Sequence, residues 1–186
     1  MKIIGITGSI ASGKTTVANL MAGKKYPLFN ADKIVSNLYK KRNFNNILIK
    51  KFKLNNEKKI KNQIKLIIKK NKYNLSKLES IVHPFVRKEM LSFLKKKNKI
   101  LFLEIPLLIE SKLNRYFDKL VFIGANKRLR IKRYLKKKGD KKTFNLLDKR
   151  QFSAALKKNI CDYTINNSYS LVVLRKNVKN FMRNYE

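Results

Sequence analysis

The fold is decided by residues 8–15, which read Gly8-Ser9-Ile10-Ala11-Ser12-Gly13-Lys14-Thr15. This run is the complete pattern G-x-x-x-x-G-K-[ST], a phosphate-binding loop (P-loop) when a strand precedes it and a helix follows it. The apolar run Lys2–Thr7 is typical of a buried strand, and the sequence from Lys14 to Met21 is typical of a helix. We therefore predict a strand, a P-loop and a helix in that order.

The residues of this loop are those needed to bind a nucleoside triphosphate. Gly8 and Gly13 permit backbone conformations that a side chain would block. The N–H groups between them then converge on phosphate oxygens, and the helix beginning near Gly13 adds its positive dipole end. Lys14 is predicted to reach the β- and γ-phosphates of ATP, and Thr15 to bind Mg²⁺. The alternative, a strand–helix turn without a ligand, is disfavoured by the complete motif in its proper setting.

Further strands are predicted beyond the loop. Nearly every residue of Lys99–Ile105 is apolar, as in a central strand with both faces covered. The others are expected at Leu28–Phe29, Lys119–Ile123 and Tyr163–Asn166. Because helical patterns alternate with these strands, we predict an α/β protein of the P-loop NTPase fold, with a parallel sheet of about five strands flanked by helices.

The sequence pattern identifies the helices less clearly than the strands. Leu75–Leu94 carries apolar residues at helical spacing, and Pro84 inside it predicts a kink or a break. Residues 138–160 are polar and weakly patterned, which predicts an exposed and mobile stretch. Helices are also expected over Asn126–Lys137 and Leu171–Met182, and over residues 31–70 with indistinct ends.

The composition is extremely basic, with a formal net charge of +35. Such a charge suits a nucleic-acid or membrane-surface protein, or it reflects compositional drift toward Lys, Asn and Ile. The lysines are spread along the whole chain, whereas a binding site clusters its charge, so we expect no specific nucleic-acid partner and no membrane. Cys161 is the only cysteine, and no apolar run approaches the roughly 20 residues of a membrane span. We therefore expect a cytoplasmic protein. We also expect it to be a monomer or a small homo-oligomer.

Other P-loop classes fit the sequence less well than a small-molecule kinase does. A guanine-recognition motif needs Asn-Lys-x-Asp, but residues 126–129 read Asn-Lys-Arg-Leu. Many nucleic-acid ATPases have a hydrophobic strand ending in Asp-Glu, which this sequence lacks. Glu104 lies inside a strand that continues into Ile105 and Pro106, where it could assist at the metal.

Several blocks of the sequence resemble the dephospho-CoA kinase family. Their order and spacing agree with that family from end to end. They are Gly5–Ala18, Asn30-Ala31-Asp32, Leu78-Glu79-Ser80-Ile81-Val82-His83-Pro84-Phe85-Val86-Arg87, Pro106-Leu107-Leu108-Ile109-Glu110 and Asp162–Asn167. The resemblance implies that ATP phosphorylates the ribose 3′-hydroxyl of dephospho-CoA. It also implies a nucleotide-binding core (1–57, 98–135 and 161–186), a helical substrate domain (58–97) and a lid (136–160).

The resemblance also implies roles for individual residues. Asp32 and Lys14 are the expected catalytic residues, Asp32 by accepting the proton of the attacking hydroxyl. The alternative for Asp32 is that it caps a helix over Lys33–Lys40. The residues expected to bind ATP are Gly8, Ser9, Ile10, Ala11, Ser12, Gly13, Lys14, Thr15, Thr16 and Arg133. Those expected to bind the substrate are Asp32, His83, Arg87, Pro106, Leu107 and Leu108.

Some of these residues have structural alternatives. His83 could be structural at Pro84, Arg87 could be a solvated charge, and Glu110 is expected to fix its loop rather than take part in chemistry. Cys161 is expected to be a small core residue.

The lid is where the sequence departs from the family pattern. Gln151 is kept, but Ala154 and Lys157 stand where arginines are expected. An arginine at a transferring phosphate is worth roughly 10³–10⁵ in rate, so the change predicts a slower enzyme unless Arg150, Lys157 or Lys158 substitutes. Other possibilities are a kinase of a nucleoside or nucleotide, a nucleic-acid-stimulated NTPase and a nucleotide-binding protein without catalysis.

Overall fold

A computed structural model describes residues 1–185. Among them, five strands form one sheet in which every neighbouring pair is parallel. The strands are β1 (Lys2–Gly8), β2 (Leu28–Asn30), β3 (Ile100–Glu104), β4 (Lys119–Gly124) and β5 (Tyr163–Asn166). Their order across the sheet is β2-β3-β1-β4-β5. The α/β class and the parallel sheet predicted from the sequence are therefore confirmed.

Helices separate the consecutive strands, as the sequence predicts, except that only a short 3₁₀ helix lies between β3 and β4. They are α1 (Lys14–Ala22), α2 (Ala31–Leu38), α3 (Arg42–Phe52), α4 (Ile60–Lys70), α5 (Lys72–Leu94), α6 (Lys127–Lys136), α7 (Lys141–Arg150), α8 (Ala154–Ile160) and α9 (Leu171–Met182). A short 3₁₀ helix covers Asn114–Tyr116. Within residues 1–185, none of the helices combines the length and the apolar character needed to cross a bilayer.

The register of the sheet brings several candidate functional positions to its carboxyl edge. Ile6 of β1 pairs with Glu104 of β3, and Asn30 of β2 pairs with the same residue. On the other side, Gly8 pairs with Ile123 of β4. Ligands of open parallel sheets bind beyond this edge, so the strand order alone directs attention to the loops that follow β1, β2 and β3.

The chain divides into two compact units. The sheet unit comprises Met1–Asn30 and the chain from Lys96 onward, and the helical unit comprises Ala31–Lys95. This division is geometric, and the functional substrate domain (58–97) and lid (136–160) stay predictions. Cys161, which was expected to be a small core residue, lies in the sheet unit and is half-buried rather than buried.

The core of the sheet unit packs the helices onto the sheet. All five residues of β3 are buried, which explains why that strand is apolar throughout. The buried core residues are Ile4, Ile6, Val17, Ala18, Met21, Ala22, Tyr26, Ile100, Phe102, Val121, Ile123, Ile165, Leu174, Val178, Phe181 and Met182. Apart from Tyr26, which lies between α1 and β2, they come from strands β1, β3, β4 and β5 and helices α1 and α9, so the core fixes the helix that follows the P-loop.

The helical unit has its own apolar core. Leu38, Phe44, Leu48, Ile64 and Val82 are buried together there. The Phe44 ring meets the rings of Tyr39 and Phe85 edge-on, each with centroids 5.5 Å apart.

A kink or a break was expected at Pro84, and the structure excludes the break. Helix α5 runs through this residue as one helix. A proline removes one backbone hydrogen bond and crowds the preceding turn, which weakens a helix without forbidding it. Here Val82, two residues before the proline, is buried in the core of the helical unit, and Phe85 packs against that core. Tertiary packing therefore overrides the local preference.

Residues 138–160 are also more ordered than the sequence suggested, because α7 and α8 cover most of them. The Asp140 side chain caps α7 by accepting a hydrogen bond from the Thr143 N–H at 2.8 Å. Ser153 caps α8 in the same way through the Leu156 N–H at 3.1 Å. Phe144 of α7 is fully buried. These short helices are marked by their caps and not by apolar periodicity. Most residues of the stretch are exposed, as the sequence indicated, but they form two helices that the sequence did not predict.

Candidate phosphate-binding site

The loop between β1 and α1 has the tight backbone of a P-loop. Gly13 has a φ of 90°, and a Cβ there would lie 2.2 Å from the Asn167 Nδ2. A Cβ on Gly8 would lie 2.3 Å from the backbone oxygen of Ile123. Ala11 also has a positive φ, 56°. A side chain is therefore blocked at Gly8 by the backbone of β4, and it is disfavoured at Gly13 by the positive φ and by the Asn167 side chain.

Two side chains hold the Ser12 end of the loop. Asn167 donates a hydrogen bond from its Nδ2 to the backbone oxygen of Ser12 at 2.7 Å, and Arg133 donates to the same oxygen at 3.4 Å. The Ser12 Oγ is buried and has no hydrogen-bond partner among the described residues. An unsatisfied buried hydroxyl in a P-loop is what a loop built around a polar ligand provides.

Lys14 lies over the loop itself. Its buried side chain donates hydrogen bonds from Nζ to the backbone oxygens of Gly8 (3.2 Å) and Ser9 (3.0 Å). Helix α1 begins at Lys14, and within the described chain no side chain caps its N-terminus. The uncapped amides and the ammonium group together make this turn strongly attractive to an anion.

Oxygen and amide groups converge where β1, β2 and β3 end. The Thr15 Oγ1 donates a hydrogen bond to the Glu104 Oε1 at 2.7 Å, and the Asn30 Nδ2 donates to the Glu104 Oε2. Glu104 is only 2% exposed. A hydroxyl beside a buried carboxylate suits Mg²⁺, which takes one or two protein oxygens together with phosphate and water oxygens. The described residues contain no cluster of three or more His, Cys, Asp or Glu, so a cage made of protein alone is not present there.

Arg130 of α6 and Gln151, the residue that follows α7, contact the loop, although the sequence assigned neither of them a role. The Gln151 Oε1 accepts a hydrogen bond from the Ile10 N–H at 2.7 Å, and its Nε2 donates to the Gly8 backbone oxygen at 3.4 Å. The Arg130 Nη1 donates to the Ile10 backbone oxygen at 3.3 Å and pairs with Asp148 at 2.7 Å. Only the survival of Gln151 in the family pattern singled out either residue.

The loop after β3 carries three of the predicted substrate-binding residues. Leu108 is buried, and Pro106 and Leu107 are half-buried. The Thr7 Oγ1 donates a hydrogen bond to the Pro106 backbone oxygen at 3.0 Å. The loop is therefore tied to the residue that immediately precedes the P-loop glycine.

Lys157 is not the free cation that would replace a lid arginine. Its side chain is fully buried, and its Nζ lies 2.8 Å from the Glu110 Oε1 and 3.2 Å from the Pro106 backbone oxygen. The sequence did not indicate this pairing, because 47 positions separate Glu110 from Lys157 in the numbering. Glu110 does fix its loop, as expected.

The remaining predicted residues lie in the helical unit. Asp32 is exposed in the first turn of α2. Because α2 begins at Ala31, Asp32 is not the N-cap, and the capping alternative is wrong. His83 and Arg87 are both exposed and lie four residues apart on α5, hence on one face of that helix.

A parallel sheet of this order, a glycine-bounded loop over a helix N-terminus, a buried lysine and a hydroxyl–carboxylate pair define a P-loop phosphotransferase. The family model for dephospho-CoA kinase matches residues 2–172. The chain therefore belongs to the dephospho-CoA kinase family, and its reaction is the ATP-dependent phosphorylation of dephospho-CoA to CoA.

Individual relatives agree with this assignment over the full length. The dephospho-CoA kinase of Rickettsia typhi is 33% identical over 193 aligned residues, covering 100% of this chain and 98% of the relative. The solved structure of TT1252 from Thermus thermophilus superposes with a TM-score of 0.81 at 25% identity, covering 100% of this chain and 98% of the other. For the dephospho-CoA kinase of Campylobacter jejuni the TM-score is 0.67 at 26% identity, with 100% and 97% covered.

Proposed function

We propose that the chain transfers the γ-phosphoryl group of ATP to the ribose 3′-hydroxyl of dephospho-CoA, with the P-loop as its ATP site. The observation that carries the proposal is the position of the Lys14 Nζ, 3.2 and 3.0 Å from the backbone oxygens of Gly8 and Ser9. A cation held over a loop of converging amides supplies the charge that phosphoryl transfer requires.

The ATP phosphates would lie against the loop and the start of α1. We assign ATP binding to Gly8, Ser9, Ile10, Ala11, Ser12, Gly13, Lys14, Thr15, Thr16 and Arg133. Support comes from the uncapped start of α1 and from the contact between Arg133 and the Ser12 backbone oxygen. Lys14 would act as a catalytic residue by stabilising negative charge on the transferring group.

Mg²⁺ would be held by Thr15 and Glu104, whose side-chain oxygens lie 2.7 Å apart. When bound, the ion neutralises charge on the phosphate oxygens. Asn30 supports this arrangement because it donates a hydrogen bond to the second oxygen of Glu104 and so orients the carboxylate.

Asp32 would accept the proton of the attacking hydroxyl. An exposed carboxylate in the first turn of a helix can accept a proton from a bound alcohol as the new P–O bond forms. We assign contacts with dephospho-CoA to His83 and Arg87 on α5 and to Pro106, Leu107 and Leu108 after β3. The guanidinium of Arg87 suits the pyrophosphate of this substrate.

The proposal is tested by incubating the purified protein with Mg-ATP and dephospho-CoA and measuring CoA by mass. The position of the new phosphate is read from ³¹P–¹H coupling to the ribose 3′ proton. Adenosine and AMP, offered as acceptors in parallel, should give no product. CoA formation without coupling to the 3′ proton would contradict the assigned position, and equal turnover of AMP would contradict the acceptor.

We also propose that the protein acts in the cytoplasm, as a monomer or a small homo-oligomer, without a specific nucleic-acid partner. Its single cysteine, which allows no intramolecular disulfide, is consistent with a reducing compartment. Unchanged turnover when RNA or DNA is added would agree with this proposal, and stimulation would contradict it.

A further inference from the structure

Lys157 and Glu110 form a buried ion pair within the sheet unit. The lysine side chain is 0% exposed and that of Glu110 is 12% exposed, with 2.8 Å between Nζ and Oε1. A buried pair of this kind often contributes no more stability than apolar side chains of the same volume. Its contribution is better sought in the positions that it fixes, because both of its members have further hydrogen-bond partners.

The glutamate end of the pair fixes the backbone next to Gln151. The Glu110 Oε1, which Lys157 contacts, also accepts a hydrogen bond from the Phe152 N–H at 2.8 Å. The preceding residue, Gln151, reaches the P-loop and accepts a hydrogen bond from the Ile10 N–H at 2.7 Å. The Glu110 carboxylate therefore fixes the backbone from which the Gln151 side chain extends to the Ile10 N–H.

The lysine end of the pair fixes the start of the P-loop. The Lys157 Nζ donates to the Pro106 backbone oxygen at 3.2 Å, and that oxygen also accepts a hydrogen bond from the Thr7 Oγ1 at 3.0 Å. Thr7 immediately precedes Gly8, the first glycine of the loop. One buried ion pair is therefore connected to the loop at Thr7 and, through Gln151, at Ile10.

We propose that Glu110 and Lys157 are positioning residues for phosphoryl transfer, which they support by holding Gln151 and the Pro106 carbonyl against the P-loop. Because both side chains are buried and paired with each other, we assign neither of them a contact with ATP or the acceptor. Their effect is on how accurately the N–H groups of the loop are positioned. A displacement of about 1 Å in a catalytic site can lower the rate roughly 10²-fold. The proposal rests on the assignment of the P-loop as the ATP site.

Two variants separate the charge of the pair from its packing. Lys157→Met keeps most of the buried aliphatic chain and removes the ammonium group. Glu110→Gln keeps an oxygen to accept from the Phe152 N–H and replaces only Oε2, which is buried and has no hydrogen-bond partner among the described residues. The matched control is Lys119→Met, because the Lys119 Nζ also lies 2.8 Å from a carboxylate oxygen, that of Asp162, while both side chains are well exposed.

The measurement is kcat/KM for ATP at saturating dephospho-CoA, at a temperature where circular dichroism shows every variant folded. We expect Lys157→Met and Glu110→Gln to lower kcat/KM about 10- to 100-fold and Lys119→Met to change it less than twofold. Each variant is then combined with Gln151→Ala. If the pair acts through Gln151, the combined loss will be clearly smaller than the product of the two single losses, whereas a merely structural role predicts that the losses multiply.

The outcomes separate this inference from the proposed function. If the unmodified protein makes no CoA, the proposed function fails. If it makes CoA and the folded Lys157→Met and Glu110→Gln proteins stay within twofold of it, or their losses multiply with that of Gln151→Ala, the inference is overturned. Should Lys157→Met not fold, Glu110→Gln decides alone by the same two criteria.

Discussion

The P-loop of the sheet unit and the helix surfaces of the helical unit present their proposed functional groups in opposite ways. Around the loop, backbone oxygens of Gly8, Ile10 and Ser12 accept hydrogen bonds from side chains that are distant in sequence. In the helical unit, Asp32 and His83 are exposed on helices held by an apolar core.

The difference reflects what each region is expected to recognise. Backbone amides bind phosphate only when the main chain is held in one conformation, so the loop needs buried polar contacts around it. A side chain on a helix is already positioned by the helix and needs no such network. Substitutions near the loop should therefore alter conformation and ATP binding together, whereas those on the helices should alter only the step that the side chain serves.

The largest effect is expected at Lys14. Lys14→Ala removes the cation over the loop and should lower kcat/KM for ATP by about 10³–10⁵-fold, the range measured for a cation at the transferring phosphate. Steady-state kinetics with varied ATP measures the loss. Lys25→Ala, an exposed lysine just beyond α1, serves as the control for removing one positive charge from this basic chain. A loss below tenfold would contradict the role of Lys14.

The second largest effect is expected at Asp32, and it should differ in kind. Asp32→Asn should lower kcat by about 10²–10⁴-fold while ATP affinity stays within twofold, because only proton transfer is affected. Equilibrium binding of ATP, measured alongside turnover, separates the two quantities. Glu57→Gln is the control, since Glu57 is an exposed carboxylate of the same unit. If Asp32→Asn lowered ATP affinity as much as turnover, the claim that Asp32 affects only proton transfer would be contradicted.

A smaller effect is expected for alanine at the second loop glycine. Gly13→Ala should destabilise the fold by about 1–3 kcal/mol and also weaken ATP binding, because φ is 90° and the new Cβ meets the Asn167 amide. Gly23→Ala is the matched control, with a positive φ of 53° but no atom within 4 Å of the added Cβ. Denaturant unfolding and ATP titration of both variants separate the effect of the contact between the new Cβ and Asn167 from the effect of the positive φ. Equal ATP affinities for the two would show that the contact at Gly13 is unimportant.

The smallest effect is expected at an ion pair remote in sequence from the loop. Burial alone would raise the pKa of Asp162, but hydrogen bonds from Lys119 and the Leu120 N–H outweigh it and lower that pKa. The carboxylate is ionised above its unfolded-state pKa of about 3.9, so its stabilisation is present there and is lost as the pH falls through the lower folded-state pKa.

Melting curves of Asp162→Asn and the unmodified protein test this prediction. At neutral pH the melting temperatures should differ by less than about 4 °C, because exposed pairs contribute little. The difference should shrink as the pH is taken below about 4. A difference that grows in acid would mean that the pKa of Asp162 is raised instead.

The sheet and the P-loop could be predicted because their signals are local. The apolar run of β3 and the motif from Gly8 to Thr15 are each complete within a few residues. The strand predicted at Leu28–Phe29 is observed as Leu28–Asn30, and the one at Tyr163–Asn166 is confirmed as predicted. Such segments form the same structure in many contexts, which is why a pattern alone identifies them.

The contacts that hold the loop could not be predicted in the same way. Asn167 bonds to Ser12, and Gln151 bonds to Ile10, across most of the chain. These residues meet because of the order of the strands in the sheet and the placement of α7 and α8. Neither feature can be recognised from a periodic pattern in the sequence. The family resemblance marked Gln151 as kept, but only the folded chain gives it a partner.

The half-buried thiol of Cys161 has a practical consequence for anyone who attaches a probe to this protein. Burial raises the pKa of this thiol to about 11. Near pH 8 only about one molecule in a thousand then carries the thiolate that reacts with maleimides or iodoacetamides. A second cysteine placed on an exposed helix position, such as Ser80, would be labelled first, so fluorescent reporters can be attached without removing the native residue.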